Sequence, residues 1–99
     1  MSRMGYRAKV DANQSAIVGE LRARGVSVAL AHDDIICGYR GHNYWFEIKN
    51  PDGLFKADGV TFNKGKIKKS QELIRRTWLG QYDVVWSIEQ ILAKINYRK

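Results

Sequence analysis

Two carboxylates and a lysine carry the first chemical signal in this chain: Asp34, and then Glu47-Ile48-Lys49 beginning 13 residues later. The run Tyr44-Trp45-Phe46-Glu47-Ile48-Lys49 is aromatic and β-branched, which favours a strand. Side chains alternate along a strand, so Trp45, Glu47 and Lys49 share one face while Tyr44, Phe46 and Ile48 share the other. A carboxylate and an ammonium thus stand side by side behind an apolar surface. Asp34 opens a second apolar run, Ile35-Ile36-Cys37-Gly38-Tyr39, and the link Arg40-Gly41-His42-Asn43 is rich in turn formers. Pairing of the two runs as a hairpin brings Asp34 across from the Glu47 to Lys49 end. Two adjacent carboxylates suit a hard divalent cation such as Mg²⁺, which prefers oxygen ligands and keeps several waters. A neighbouring lysine can orient or activate an attacking water, or stabilise charge on a phosphoryl group.

The elements that position these groups follow from periodicity. Asp11 to Arg24 has the pattern of an amphipathic helix with Ile17, Val18 and Leu21 on one stripe and Gly25 as its stop. Gln14 shares that stripe, either to satisfy a core hydrogen bond or to look into the site. Val26 to Leu30 alternates as a first strand. Asn50 to Gly65 is a long connection with turn signals at Pro51-Asp52-Gly53, Asp58-Gly59 and Asn63-Lys64-Gly65; such length in a small domain implies function or mobility. A second helix is predicted from about Lys68 to Leu79, with Ile67, Gln71, Ile74 and Trp78 facing inward. Asp83-Val84-Val85-Trp86 is the fourth strand. Ser87 and Gln90 have the spacing of a capping box for a last helix over Ile88 to Ile95. The order α-β-β-β-α-β-α predicts an α/β domain, a mixed sheet flanked by helices.

These pieces together resemble the PD-(D/E)xK phosphodiesterase superfamily, and within it the small virus-type replication-repair nuclease domains of phages. The resemblance covers nearly the whole chain and rests on an ordered set: Asp11-Ala12-Asn13-Gln14 with Ile17-Val18 and Leu21-Arg22; Asp34 to Gly38; Glu47-Ile48-Lys49; Ile67 leading to Gln71; and Tyr82-Asp83-Val84-Val85. An isolated E-x-K is a weak signal, and the order of the set gives it weight. The chain departs from the family in three places. Asp33 stands where relatives have proline, and the distance to Gly38 favours Asp34 over Asp33 as the ligand. Gln14 replaces a glutamate, and Lys68 replaces a Thr or Ser cap, which should weaken the start of the second helix.

The resemblance implies a restriction-endonuclease-like core and metal-dependent DNA endonuclease activity. Asp34 and Glu47 become ligands of Mg²⁺ or Mn²⁺, with the backbone carbonyl of Ile48 as a further ligand. Lys49 acts on the attacking water, Gln71 orients that lysine or contacts the scissile phosphate, and Gln14 supports the site. It also implies a homodimer acting on branched DNA such as four-way junctions. A non-catalytic nucleic-acid-binding module that has kept the fold is the alternative; intact Asp34, Glu47 and Lys49 argue against it.

Composition is compatible with that reading. Ninety-nine residues, 44% of them hydrophobic, allow one domain with its own core, residues 1–99. Cys37 is the sole cysteine, which excludes an internal disulfide and a cysteine-built zinc site. No apolar run reaches the length of a membrane span and the first residues lack a hydrophobic leader, so the expectation is a cytoplasmic protein with neither membrane nor small-molecule cofactor. Seventeen Lys and Arg against ten Asp and Glu give a net charge of +7, which favours a polyanionic partner. Lys64, Lys66, Lys68, Lys69 and Arg75 form a dense basic stretch suited to gripping a DNA backbone without reading sequence. Arg3, Arg7 and Lys9 are either a flexible arm on DNA or a simple chain end. His32, beside Asp34, fits a turn better than a ligand, and Trp45, Trp78 and Trp86 occupy apolar positions expected in the core.

Replacing Lys66, Lys68 and Lys69 together with neutral residues should weaken binding to every DNA alike. Each lost phosphate contact lowers the slope of log affinity against log salt by about 0.9 for duplex DNA. Anisotropy titrations across a salt series read that slope directly, and an unchanged value would assign these lysines to solvation alone.

Overall fold

The computed structural model describes residues 2–31 and 34–99, with side chains from residue 13 onward. His32 and Asp33, and the side chains of Arg3, Arg7 and Lys9, lie outside the described residues. Seven elements run in the order α1 (Ser2–Ala23), β1 (Ser27–Ala31), β2 (Asp34–Tyr39), β3 (His42–Ile48), α2 (Lys69–Thr77), β4 (Asp83–Val85) and α3 (Ile88–Lys94). They form a small α/β domain around a four-stranded mixed sheet of order β1-β2-β3-β4. The first two pairings are antiparallel, and β3 pairs with β4 in parallel.

The element order and types are those the periodicity predicts; the boundaries differ for local reasons. The α1 helix starts well before Asp11. It stops where expected: Gly25 takes φ +86°, while the Val26 and Gly25 amides donate to the Leu21 and Arg22 carbonyls, each at 3.0 Å, closing a Schellman motif. The β2–β3 connection is shorter than the four-residue link read from composition. His42 pairs with Tyr39 and Asn43 with Gly38, so only Arg40 and Gly41 remain in the turn. Their φ values of 52° and 82° are the left-handed pair that a type I′ turn requires, and its twist matches that of the strands.

The sheet has two unlike faces. Ile35 and Cys37 of β2, Phe46 and Ile48 of β3 and Val85 of β4 are buried against Ile17, Val18 and Leu21 of α1 and Ile91 and Ile95 of α3. This is the main core. The α3 helix is held by the expected capping box: Ser87 Oγ accepts from the Gln90 amide at 3.4 Å, and Gln90 Oε1 accepts from the Ser87 amide at 3.0 Å. Asp34, Ile36, Trp45 and Glu47 occupy the other face by strand alternation.

The α2 helix ends at Thr77, two residues before the predicted end, because Trp78 adopts an extended backbone at φ −70° and ψ 126°. Trp78 is 54% exposed, which corrects its assignment to the core. Trp45 and Trp86 are half-buried.

The long connection after β3 has an internal order that composition did not reveal. Phe55 and Phe62 form an antiparallel bridge and stack with ring centroids 5.0 Å apart. Leu54 is buried, Phe55 meets Trp86 edge-on at 4.9 Å, and Arg75 lies over Phe62 at 5.0 Å. Asp58 closes the tip by accepting from the Val60 and Thr61 amides, both at 2.8 Å, and from the Thr61 hydroxyl at 2.6 Å. Those bonds hold its carboxyl below the usual range, the Thr61 hydroxyl contributing most.

Burial pushes the Cys37 thiol from 9.0 up to about 11. A folded-state value above the unfolded one gives stability that is complete below pH 9 and is lost as pH rises through about 11. Urea titrations across this range should show an alkaline decline that Cys37→Val reduces, and maleimide should label the folded protein slowly at pH 8. Fast labelling of the native state would contradict the burial.

Candidate metal and phosphate site

The register of the hairpin places Asp34 directly opposite Glu47. Directly opposed residues on one sheet face have Cβ atoms about 4.5–5.5 Å apart, so the two carboxylates are cross-strand neighbours. Glu47 is 2% exposed, a charge-bearing residue buried as deeply as core leucines. Such burial is costly without opposite charge and hydrogen bonds. Lys49, two residues along the same face, brings its Nζ to 3.5 Å from Glu47 Oε2 with 17% of its side chain exposed.

Asp34 is oriented from the neighbouring strand. The indole Nε1 of Trp45 donates to Asp34 Oδ2 at 2.7 Å, a diagonal bond across the hairpin. Trp45 is itself fixed at its backbone. Its N–H donates to Gln81 Oε1 and its carbonyl accepts from Gln81 Nε2, both at 2.7 Å. The Gln81 amide therefore imitates one more residue of parallel strand beyond Asp83, which pairs with Phe46. The same Nε2 reaches Asp83 Oδ2 at 2.9 Å. The Trp45 ring is met edge-on by Tyr82 at 4.6 Å and by Trp78 at 5.1 Å.

Tyr82 packs edge-on against the Trp45 ring that donates to Asp34. Its hydroxyl is buried with no hydrogen-bond partner among the described residues. Its ionisation is driven far above the ordinary range, first by burial, then by the carboxylates of Glu47 and Asp34, with partial relief from Arg75. The phenol therefore stays protonated at neutral pH. Neither Gln81 nor Tyr82 stood out in the sequence as a site residue, because each contributes through a neighbour on β3 and not through a motif. The ordered run from Tyr82 to Val85 was the only available signal.

The remaining predicted residues fall in two groups. Gln71 is 7% exposed and faces inward as its helical stripe requires. Its Oε1 accepts from the Lys68 amide at 3.0 Å, so it also caps the start of the helix. Ile48 buries its side chain in the core; that side chain is aliphatic, so only the backbone carbonyl could serve a cation. Gln14 is half-buried on α1. The α1 contact to this end of β3 comes from the adjacent Asn13, whose Nδ2 donates to the Lys49 carbonyl at 2.9 Å. Lys64, Lys66, Lys68, Lys69 and Arg75 are exposed on the loop and on α2. Arg75 is also engaged with Glu72 at 2.8 Å.

The donor set can be tested against a cation. No group of three or more His, Cys, Asp or Glu side chains converges among the described residues. Mg²⁺ does not require one, since it commonly uses one or two carboxylates with waters and substrate phosphate oxygens. Opposed Asp34 and Glu47 fit that pattern, and a cation between them would offset the repulsion of two carboxylates on one face.

Comparison with protein-family models, with curated proteins and with solved structures finds no match to this chain.

If the indole bond orients Asp34, Trp45→Phe should keep an aromatic ring against Tyr82 and Trp78 yet lose the donor. A double-mutant cycle with Asp34→Ala, read by urea denaturation, should return a coupling of about 1.5 kcal/mol, within the range for hydrogen bonds to charged groups. Additive effects would mean that the two side chains do not act on one another.

Proposed function

We propose that this protein is a Mg²⁺- or Mn²⁺-dependent DNA endonuclease that hydrolyses phosphodiester bonds, built on a restriction-endonuclease-like core and selective for branched DNA such as four-way junctions. The observation that carries the reading is the pairing of Asp34 with buried Glu47, with the Lys49 ammonium 3.5 Å from the Glu47 carboxylate. A solvated charge pair on an edge strand would not be buried to 2% exposure, nor have its partner aspartate hydrogen-bonded to an indole.

In this reading Asp34, Glu47 and the Ile48 carbonyl hold the cation, which when bound supplies Lewis-acid charge at the scissile phosphate. Lys49 orients the attacking water and stabilises negative charge as the phosphoryl group passes through its transition state. Gln71, with Oε1 committed to the Lys68 amide, presents its amide donors to a phosphate oxygen. The exposed lysines 64, 66, 68 and 69 and Arg75 follow the DNA backbone. A homodimer supports the branched-DNA preference, because two sites related by a two-fold axis can nick two strands related in the same way. Among the described residues no helix is long and apolar enough to cross a membrane.

Labelled linear, flap and four-way-junction DNA incubated with the protein should be cleaved with Mg²⁺ or Mn²⁺ and left intact in EDTA. Asp34→Ala and Glu47→Ala should abolish cleavage while DNA binding persists. Lys49→Ala should fold and lose about 10²–10⁴ in rate. Undiminished cleavage by both carboxylate variants would remove the site assignment, and near-normal turnover by Lys49→Ala would reduce that lysine to a structural charge.

A further inference from the structure

The exposed indole of Trp78 has no explanation in packing. The residue is 54% exposed, and Leu73 of α2 and Leu79 beside Trp78 are also exposed. The ring is nevertheless held in place. Its edge-on contact with Trp45 fixes one side at 5.1 Å and 89°. Gly80 leaves room for the other, since a Cβ there would approach Trp78 Nε1 at 3.0 Å. An ordered aromatic surface loses little conformational freedom when something stacks on it. Trp78 is also only one side chain away from the carboxylates, through Trp45 and its bond to Asp34. Arg76, exposed in the last turn of α2, supplies positive charge two residues before Trp78.

From this placement we infer that Trp78 is a stacking platform for an unpaired DNA base beside the cleavage site. The inference rests on the nuclease reading for its substrate and adds what that reading lacks, a source of preference for unpaired nucleotides. A planar indole takes any base through its π-face without reading sequence, and a nearby cation such as Arg76 can hold the strand. Paired bases in continuous duplex cannot reach the ring without unstacking. Junctions, flaps and frayed ends present such bases at little cost. The principal competing occupant is a second copy of this chain, covering Leu73, Trp78 and Leu79 in a dimer.

The test is made in EDTA, so that binding is read without cleavage. Oligo(dT) of twelve residues and a duplex of equal length are titrated into the full chain while tryptophan fluorescence and anisotropy are followed. Oligo(dT) should quench the parent. Trp78→Ala should lose most of that quenching and bind oligo(dT) about 5- to 150-fold more weakly, as stacking of one base requires. Its duplex affinity should change less than twofold, and the salt slope should not change, because no phosphate contact is lost. Trp78→Phe should keep most of the oligo(dT) affinity. Circular dichroism and the sedimentation coefficient are measured on each variant. Equal oligo(dT) affinity in parent and Trp78→Ala would overturn the inference, as would absence of quenching in the parent. So would a Trp78→Ala protein that changes from dimer to monomer with no loss in oligo(dT) affinity, since the face would then belong to a second copy. Quenching that depends on Trp78 in a protein that cleaves no DNA would sustain the platform and defeat the nuclease reading; cleavage without such quenching would do the reverse.

Discussion

A carboxylate buried in a sheet face is the constraint around which the rest of this molecule is arranged. Glu47 sits among residues as buried as the core, directly across from a second carboxylate at Asp34. Two such groups repel one another and lose hydration on burial, so a fold that keeps them must surround them with compensating groups. Lys49 supplies opposite charge at 3.5 Å, and the Trp45 indole supplies a donor to Asp34 at 2.7 Å. Each of these is fixed in turn. The Lys49 carbonyl is held by Asn13 of α1, and the Trp45 backbone by both ends of the Gln81 amide. What resembles a loose polar patch in one dimension is a chain of dependent contacts reaching into three elements.

The opposite face of the same sheet makes this affordable. It buries an uninterrupted apolar set from β2, β3 and β4 under α1 and α3. Stability is concentrated there, and the other face carries the polar work. The division follows from strand alternation: Phe46 and Ile48 are committed to the core, so Trp45, Glu47 and Lys49 must look the other way. Leu73 of α2, and Trp78 and Leu79 just after it, remain in solvent.

Local sequence signals performed well where a single element decided the outcome. The β3 strand, the glycine stop of α1 and the Ser87 and Gln90 cap all have causes within a few residues, and each is found in the structure. Local signals did less well at boundaries. The hairpin turn looked four residues long because His42 and Asn43 are turn formers by composition, but ladder pairing with Tyr39 and Gly38 drew both into the strand. Trp78 looked like core because it continued a helical stripe; the backbone leaves the helix there, and the stripe ends with it. The connection from Asn50 to Gly65 gave only turn signals. Its order comes from Phe55 meeting Phe62 and Trp86, and from Arg75 lying over Phe62.

The sequence by itself determined that Glu47 and Lys49 share a strand face, that a short hairpin can return Asp34 to them, and that Gln71 turns inward on its helix. Those are consequences of periods of 2 and 3.6 residues, which any reader of the chain can apply. Only the tertiary structure decided the register that sets Asp34 against Glu47, the depth at which Glu47 is buried, and the groups that hold the pair. Trp45 to Asp34, Gln81 to Trp45, Asn13 to Lys49 and Tyr82 to Trp45 are contacts between residues 11 to 37 positions apart in the chain. No local pattern encodes them, because they arise only when the strands and helices that carry them have packed together.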